Sequence, residues 1–489
     1  MARARAAAGA GLAAAVAWLL VGTGPLNYDT LYALVWGRDL AHGHGPDYSV
    51  PLVPTPHPLA NLAGIVLTPL SEASSHAVHG QAATTVVLVA AFLFLGALTW
   101  LVYALGAAWF DPWAGALAAA IVLTRRPVLD FGARAYVDVP YLVLVLAALL
   151  VETRRPRAGA PVLVLLALAG LIRPEAWLFS LVYVAYVAGV GGVRERARLA
   201  PLVALALAAP ALWALSDLVI SGSPLHSLTK TQATARTLDR ITGLQHVPGT
   251  APRRIGEILR EPVLFGAAGG GVMALLWLRR RALLGAAAGV VSFVAFCVLA
   301  ASGLPILGRY LLLPSLILAI FCGAGAFGWR LLPREHPRRR LWAWFGVATI
   351  VAQIAFIPPQ VTRIRAERRA LSRQAQVERD LRRLVREPGA LVGPQCLPVI
   401  APNHRPIPLL ALWLDTRPQN VLSAQERLPR FGEYVLPADR GVAHDYILDP
   451  RDLNKRIPPP PPGFYRAGAD RSWVVFRRCR QDVVQHGGE

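Results

Sequence analysis

A series of eleven apolar runs constrains the fold of this chain more than any other feature. Without water to satisfy backbone polar groups, such runs cross a bilayer as helices. About 20 apolar residues cross unaided, so the three short runs 113–124, 139–151 and 160–172 are expected to extend into flanking residues or to line a cavity. The sequence predicts an all-α polytopic membrane protein with about 11 transmembrane helices, near residues 6–23, 83–106, 113–124, 139–151, 160–172, 176–190, 200–220, 263–278, 282–302, 311–328 and 341–357.

Charge agrees with this class. Charged residues make up 16% of the chain, against about 25% in soluble domains. The net charge of +21 lies in short loops between apolar runs, which the positive-inside rule explains better than nucleic-acid binding. The first run, behind Arg3 and Arg5, could be a signal peptide, but no small-x-small cleavage site precedes a soluble region, and further spans follow. We therefore expect an uncleaved helix with a cytoplasmic amino terminus.

The arginines also predict which loops face outward. Four alternate loops are arginine-rich and are predicted to be cytoplasmic; they contain residues 154–157, 194–198, 279–281 and 330–340. An odd number of spans then places the chain from Pro358 onward outside the cytoplasm. The same side receives the loops 26–82, 125–138, 173–175, 221–262 and 303–310.

The composition changes after Phe356, which suggests a transmembrane domain at 1–357 and a small extracytoplasmic α/β domain at 358–489. An amphipathic helix is predicted over 363–386 and a short helix over 407–414. β-like runs lie at 390–400, 444–448 and 472–478. Cys396 and Cys479 both fall in this region; an external compartment permits a disulfide between them, and two free thiols remain the alternative.

The first external loop carries Asp29, Asp39, Asp47 and His57 directly after the first apolar run. Polar groups this close to a bilayer edge are costly unless they are paired or functional. Asp39 stands beside Arg38 and is interpreted as part of a surface helix end. Asp47 belongs to a turn of Gly and Pro. Asp29 is therefore the principal functional candidate of the loop.

Two later loops place charges at helix starts. The segment ARAYVDVP contains Arg134 and Asp138; Asp138 precedes Pro140 and could cap the next helix, face a cavity, or do both. The segment GLIRPEAW brackets a proline with Arg173 and Glu175. These two residues form either a local ion pair at a helix break or a pair that faces the substrate.

The last external loops add cations. A helix is expected from about residue 231 to 244, and His226 and Lys230, four apart, would share a face if they were helical. Solvated loop residues are the alternative. Arg309 and Tyr310 begin the tenth span. An arginine at the outer end of a helix made of Leu, Ile and Pro favours an anion as its partner.

Taken in order, these motifs resemble the GT-C class of polyprenyl-phosphate-dependent glycosyltransferases. The resemblance is greatest to the family 39-like branch with protein O-mannosyltransferases and aminoarabinose transferases, and it covers about residues 10–330. That class has an acidic residue just after the first helix, matched by NYDTLYALVWGRDL, and a second acid in the next external loop, matched by ARAYVDVP. The RPEAW and GRYLLLP segments are similar to recurring segments of bacterial members. Protein mannosyltransferases carry a paired Asp-Glu, whereas here Thr30 follows Asp29.

The resemblance implies transfer of a sugar from a polyprenyl-phosphate donor to a hydroxyl of a lipid, glycan or protein outside the cytoplasm. An alcohol needs a base to remove its proton, whereas the phosphate leaves as a stable anion, so one carboxylate suffices. Asp29 is the candidate base, and direct displacement would invert the anomeric carbon. Asp138 is the second catalytic candidate. A divalent cation held by Asp29, Asp47, His57 and Asp138 stays open. The candidate substrate- and phosphate-binding residues are Arg309, Arg134, Arg173, Glu175, Lys230, His57 and Tyr310.

Two other functions are considered. A transporter or flippase of a lipid-linked or anionic substrate would place ionisable residues near the bilayer midplane and often contains repeats. Here the charges cluster at the outer ends of helices and no repeat of the halves is evident. A membrane scaffold whose external domain binds a partner is the third possibility.

Overall fold

The computed structural model describes residues 2–48, 50–74, 78–190, 199–448 and 454–480. The arginine-rich loop 194–198, used above to predict orientation, lies outside these residues.

The described chain is mostly helical, with five short strands near its carboxyl end. The α-helices are α1 (Ala2–Val21), α2 (Tyr28–Ala41), α3 (Pro58–Val66), α4 (Thr68–Glu72), α5 (Gln81–Trp109), α6 (Pro112–Thr124), α7 (Arg126–Ala133), α8 (Asp138–Arg154), α9 (Ala160–Gly170), α10 (Glu175–Val190), α11 (Leu199–Ser221), α12 (His226–Thr237), α13 (Val247–Leu259), α14 (Glu261–Trp277), α15 (Arg279–Ala301), α16 (Leu312–Phe327), α17 (Arg339–Ala355), α18 (Ile357–Arg386), α19 (Ile407–Trp413) and α20 (Arg440–Val442). The strands are β1 (Val399–Ala401), β2 (Val421–Ser423), β3 (Gly432–Pro437), β4 (Tyr465–Ala469) and β5 (Trp473–Arg478). Single turns of 3₁₀-helix lie at Leu244–His246, Gly308–Leu311, Gly328–Leu331, Gly393–Cys396 and Pro418–Asn420.

Each of the eleven apolar runs is helical. Within the described residues, five helices are long and apolar enough to cross a membrane alone, and the number is up to eight if each of three bent helix pairs is one span. The remaining runs form the shorter helices α6, α9 and α10. The bent pairs are α7 with α8 at 111°, the segment Leu244–Leu259 with α14 at 107°, and α17 with α18 at 42°. The chain is a multi-pass membrane protein.

Contacts divide the chain into two compact units. The first contains residues 1–22, 90–218 and 240–368, and the second contains 23–89, 219–239 and 369–489. The second unit thus joins the segment that follows α1 to the carboxyl-terminal segment. The domain boundary predicted at residue 357 remains a prediction; α18 begins there and continues to Arg386.

Helix α16 lies at the centre of the first unit, and 89% of its apolar window, extended by the flanking turns, is buried. Glycines allow α14 to pack closely against it. A Cβ atom at Gly270 would lie 2.2 Å from the Phe321 carbonyl oxygen and 2.5 Å from the Gly325 nitrogen. Small residues commonly permit such close approach between membrane helices.

The second unit contains a five-stranded mixed sheet in the order β2-β1-β3-β5-β4. β1 pairs in parallel with β2 and β3, whereas β5 pairs antiparallel with β3 and β4. The amphipathic helix, the helix at α19 and the strand at β5 are confirmed. Two β-like runs were wrong: residues 443–447 form a π-helical turn, and only Val399–Ala401 of the run 390–400 is a strand. Cys396 and Cys479 are joined by a disulfide bond.

The segments 26–74 and 221–239 of the second unit contain helices α2, α3, α4 and α12. A Cβ atom at Gly37 of α2 would lie 2.3 Å from the Gly64 carbonyl carbon, so the two glycines let α2 and α3 pack closely. The helix expected near 231–244 instead spans His226–Thr237. His226 and Lys230 therefore lie on one helix, as considered, and the prediction of the bounds was wrong. Its polar Ser and Thr residues give the helix little apolar periodicity from which to read an end.

Candidate functional site

Four charged residues of the first unit meet in a buried cluster formed by Asp138, Arg173, Glu175 and Arg309. Asp138 is in the first turn of α8, Arg173 and Glu175 lie at the α9–α10 break, and Arg309 belongs to the 3₁₀ turn before α16. Arg173 donates a hydrogen bond to Asp138, and its second terminal nitrogen lies 3.4 Å from Glu175 Oε1. Arg309 Nη1 is 3.8 Å from Asp138 Oδ2. Two carboxylates thus face two guanidinium groups.

This geometry answers two questions that the sequence left open. Val137, not Asp138, is the N-cap residue of α8. Asp138 therefore acts as an ion-pair partner rather than a cap. Arg173 and Glu175 do form the local ion pair at the helix break, and Arg173 also binds Asp138, which is 35 residues away.

Aromatic rings cover the guanidinium groups of the cluster. The Arg173 Cζ atom lies 4.7 Å from the centroid of the Tyr310 ring. The Arg309 Cζ atom lies 5.7 Å from the Tyr310 centroid and 5.9 Å from that of Tyr136. At these distances the face of an aromatic ring stabilises the guanidinium cation and keeps water from the side that the ring covers. Tyr310 thus contacts both arginines.

Exposure separates the members of the cluster. The side chains of Asp138 and Arg173 are 2% and 5% exposed, whereas that of Arg309 is 21% exposed. Breaking a fully buried ion pair leaves a charge without compensation. Asp138 and Arg173 are therefore expected to keep fixed positions. Arg309 is the cation of this cluster that an anion can reach. Arg134 pairs with Asp130 of α7, at 3.8 Å.

Asp29 belongs to the second unit, in the first turn of α2, and is half-buried. A carboxylate at this position interacts favourably with the helix dipole. Burial, the neighbouring Tyr32 and the charge of Asp29 raise the pKa of Tyr28, whereas Arg405 lowers it. Asp29 and Arg405 therefore both lie within electrostatic reach of Tyr28.

Four aromatic side chains pack one against the next along α2 and the loop after it, beginning beside Asp29. The Tyr28 and Tyr32 rings are 4.9 Å apart, those of Tyr32 and Trp36 4.8 Å, and those of Trp36 and Tyr48 4.9 Å, all between centroids. His226 of α12 stacks on Tyr48 at 5.6 Å. Aromatic pairs at these distances hold one another in place. These four aromatic side chains of α2 and the loop after it are thus packed rather than solvated.

The other predicted residues of the second unit are dispersed over its helices. His57 is buried and is the N-cap residue of α3, followed by Pro58. Lys230 on α12 is half-buried and lies near Glu426. Burial raises the pKa of the Glu426 carboxyl, and Lys230 lowers it.

One interpretation of the sequence was wrong. Arg38 and Asp39 are 5% and 4% exposed, so they do not form a surface helix end. Arg38 Nη1 lies 2.8 Å from Asp415 Oδ1, and Arg38 donates a second hydrogen bond to the Thr416 carbonyl. Burial raises the pKa of Asp39, while Arg38 and Arg417 lower it.

A polar cavity of ≈ 380 Å³ lies beside these residues in the second unit. Arg38, Asp39, Glu72 and Asp415 are among the residues that line it, and none of the predicted site residues does so. In the part of the chain that the structure describes, no three His, Cys, Asp or Glu side chains gather as a metal site would require. The set Asp29, Asp47, His57 and Asp138 therefore does not form the cation site that the sequence left open.

Three residues near the predicted site had not been selected from the sequence. His404 packs its ring against Tyr28 at 5.6 Å, Arg405 acts electrostatically on the same tyrosine, and Glu426 acts on Tyr32. All three come from the carboxyl-terminal segment, in which no catalytic motif is apparent. The segment PNHRP, with adjacent His and Arg between prolines, was the available signal.

No protein-family model matches the sequence, and no curated protein matches it. Among solved structures, the chain is similar to ArnT from Cupriavidus metallidurans bound to undecaprenyl phosphate, with a TM-score of 0.52, 13% identity and coverage of 95% of this chain and 96% of that one. The apo state of ArnT gives a TM-score of 0.52 at 14% identity, with coverage of 95% and 96%. An oligosaccharyltransferase from Archaeoglobus fulgidus gives a TM-score of 0.47 at 12% identity, covering 85% of this chain and 64% of that one. This TM-score is too low to define a fold. The chain therefore has a GT-C-like fold, with a polytopic helical part and a small carboxyl-terminal α/β sheet region, as the resemblance implied.

Proposed function

We propose that this protein is a membrane glycosyltransferase that moves a sugar from a polyprenyl-phosphate donor to an acceptor hydroxyl on the extracytoplasmic side. The observation that carries the proposal is the likeness to ArnT, which extends over 95% of the chain and includes a structure bound to undecaprenyl phosphate. The buried ion cluster with one reachable arginine supports an anionic donor. The predicted orientation, with a cytoplasmic amino terminus and an external carboxyl-terminal region, belongs to this proposal.

Asp29 is proposed as the general base. The acceptor hydroxyl gives its proton to the Asp29 carboxylate while its oxygen bonds to the anomeric carbon. The bond from that carbon to the phosphate oxygen breaks, and its electron pair leaves with the phosphate. A single displacement of this kind inverts the anomeric configuration. No general acid is needed because a phosphate is a stable leaving group, unlike the alcohol released in glycoside hydrolysis.

Arg309 is proposed to bind the donor phosphate. A guanidinium group recognises phosphate through paired hydrogen bonds, and it can meet the charge that develops as the phosphate leaves. Arg309 is more exposed than Arg173 and Asp138; Asp138 pairs with Arg309, and Arg173 and Glu175 complete the buried ion cluster around Asp138. We therefore assign Asp138, Arg173 and Glu175 to positioning Arg309, and Tyr310 to covering both guanidinium groups.

The remaining candidates have supporting roles in this proposal. Lys230, beside Glu426, is a second cation that could meet the donor, and His57 and Arg134 are contacts of the acceptor or donor. Arg405, near Tyr28, joins them as a cation of the carboxyl-terminal segment.

The test uses the purified protein in lipid vesicles with a labelled polyprenyl-phosphate sugar and a panel of hydroxyl acceptors. We expect release of polyprenyl phosphate together with a new glycosidic bond of inverted configuration. Arg309→Gln should lower kcat/KM for the donor about 10-fold or more, because a hydrogen bond to a charged group contributes roughly 1.5–3 kcal/mol. Arg330→Gln, which removes an arginine that is 43% exposed and 3.6 Å from Asp111, is the matched control and should leave it unchanged.

Two results would contradict the proposal. Movement of intact donor across the vesicle without cleavage would support the transporter alternative. Retention of the anomeric configuration would exclude direct displacement with Asp29 as base.

A further inference from the structure

A second cationic cluster lies in the first unit and shares no residue with the Arg309 cluster. It consists of Arg125, between α6 and α7, Arg260, between α13 and α14, and Arg363 on α18. We call these residues the Arg125 cluster. Arg260 lies at the bend between α13 and α14, and Arg363 lies about two turns after the bend between α17 and α18. Arg125 lies at the junction of α6 and α7.

Arg125 is 5% exposed. Its guanidinium donates to the carbonyls of Leu259 at 2.9 Å and Ile121 at 3.3 Å, and to the Thr124 hydroxyl at 3.4 Å. Among the described residues, no carboxylate lies within 4.0 Å of it. A buried cation with only neutral oxygen partners has lost its hydration without gaining a counter-charge. An anion is therefore the missing element of this site.

The neighbours increase the positive potential. Arg363 lies over the Phe356 ring at 5.3 Å, with Arg125 5.8 Å from the same ring. Burial, together with the charges of Arg363 and Arg260, lowers the pKa of Arg125 to about 10. Arg363 Nη1 is buried without a hydrogen-bond partner in the described part of the chain.

Few carboxylates balance these charges. Arg260 has Glu261 at 3.4 Å, but the Glu261 side chain is 73% exposed. Glu367, the other nearby acid, is paired with Arg126. Arg260 also adopts a φ of 69°, a conformation that a non-glycine residue rarely takes. Strained backbone of this kind is held in place by its surroundings and often accompanies ligand sites.

Exposed apolar side chains flank the cluster. Phe265 on α14 is 50% exposed, Ile354 on α17 is 59% exposed, and Ile357 and Val361 on α18 are 54% and 38% exposed. Apolar surface next to cations at the ends of membrane helices matches the acyl chains and headgroup of one lipid. A soluble anion would need only the cations.

We propose that the Arg125 cluster binds the phosphate of an anionic phospholipid headgroup, with the acyl chains along the exposed faces of α14 and α17. The phosphate lies against Arg125, Arg260 and Arg363 and supplies the counter-charge that Arg125 lacks. The bound lipid ties the junction of α6 and α7 to the α13–α14 bend and the α17–α18 bend, which Arg125 already contacts through the Leu259 carbonyl and the Phe356 ring. The site does not depend on the proposed transferase activity.

The experiment titrates the purified protein in neutral detergent with short-chain phosphatidylglycerol and counts bound lipids by native mass spectrometry. Arg363→Gln should lower the affinity about fivefold, because one arginine near a lipid surface contributes about 1 kcal/mol. Arg260→Gln should do the same, and the double variant should lose about 25-fold if the two act independently. Arg365→Gln, which removes an exposed arginine of the same helix, is the control and should change the affinity less than twofold.

Further arms separate the possible occupants. Phosphatidylcholine should not compete with phosphatidylglycerol, and inorganic phosphate at millimolar concentration should displace little of it. Unchanged binding in both Arg363→Gln and Arg260→Gln would overturn the proposal. Displacement by inorganic phosphate as effective as by phosphatidylglycerol would also overturn it, since the site would then take a free anion. The melting temperature of each variant in neutral detergent should equal that of the wild type, which excludes misfolding as the cause.

Discussion

Replacing Asp138 by Asn should destabilise the first unit strongly. Asp138 is 2% exposed, accepts a hydrogen bond from Arg173, and has Arg309 at 3.8 Å. The change leaves two guanidinium groups opposite the single carboxylate of Glu175. Breaking a buried ion pair by removing one partner typically costs about 3–5 kcal/mol. We expect Asp138→Asn to lower the free energy of unfolding by this amount.

A partly exposed pair of the same unit gives the matched control. Glu257 lies 3.1 Å from Arg253 and 2.7 Å from Arg254, and its side chain is 40% exposed. Pairs that reach solvent contribute about 0–1 kcal/mol, so Glu257→Gln should change stability little. The assay is unfolding of the purified protein in mild detergent, followed by temperature and denaturant.

The double variant Asp138→Asn with Arg173→Gln refines the test. The first substitution leaves Arg173 without its main partner, and the second removes the Arg173 charge. The stability loss of the double variant should therefore be smaller than the sum of the two single losses. Additive losses, or an Asp138→Asn loss no larger than that of Glu257→Gln, would refute the view that these residues form one ion cluster.

Three further predictions concern packing, covalent structure and pH. Gly270→Ala should destabilise the protein by about 1–3 kcal/mol through overpacking, since its Cβ would lie 2.2 Å from a backbone oxygen, whereas Gly271→Ala, with nothing within 4 Å, should be neutral or stabilising in the same unfolding assay. Thiol labelling of the unfolded, unreduced protein should leave Cys396 and Cys479 unmodified, and labelling of both would contradict the disulfide. Burial raises the pKa of the Glu426 carboxyl above 4.5 in the folded state, so the folded protein binds the carboxyl proton more strongly than the unfolded chain does. The stability gained from this proton is present below pH 4.5 and is lost as the pH rises through the raised pKa. Glu426→Gln should therefore flatten the fall of melting temperature above pH 4.5, and an unchanged profile would contradict the shift.

The helical part of the fold was predictable because a membrane span carries its signal in one contiguous run. Each apolar run from α1 to α17 is therefore a helix, and the amphipathic α18 was found in the same way. The strands β1 and β2 have three residues each, which is too few for alternation to show a period. β3 and β4 were missed, and residues 444–448 were misread, because burial against tertiary neighbours overrides local propensity.

The site was predictable as a set of residue types at helix ends and not as a set of pairs. The sequence placed Asp138, Arg173 and Arg309 at the outer ends of apolar helices, where charges are rare. Their pairing depends on how helices separated by tens of residues pack, which no local pattern encodes. Arg38 shows the consequence, since its partner Asp415 lies 377 residues away, and the local sequence wrongly indicated a surface position.

The most direct test of the proposed function measures sugar transfer by Asp29→Asn from a polyprenyl-phosphate donor. Asp47→Asn, which removes the same charge from another half-buried position of the same loop, is the control. The proposed base chemistry predicts that Asp29→Asn abolishes transfer, with a loss of about 10²-fold or more, while the variant keeps its wild-type melting temperature and Asp47→Asn keeps most of its activity. Transfer by Asp29→Asn at a near wild-type rate would show that Asp29 is not the base.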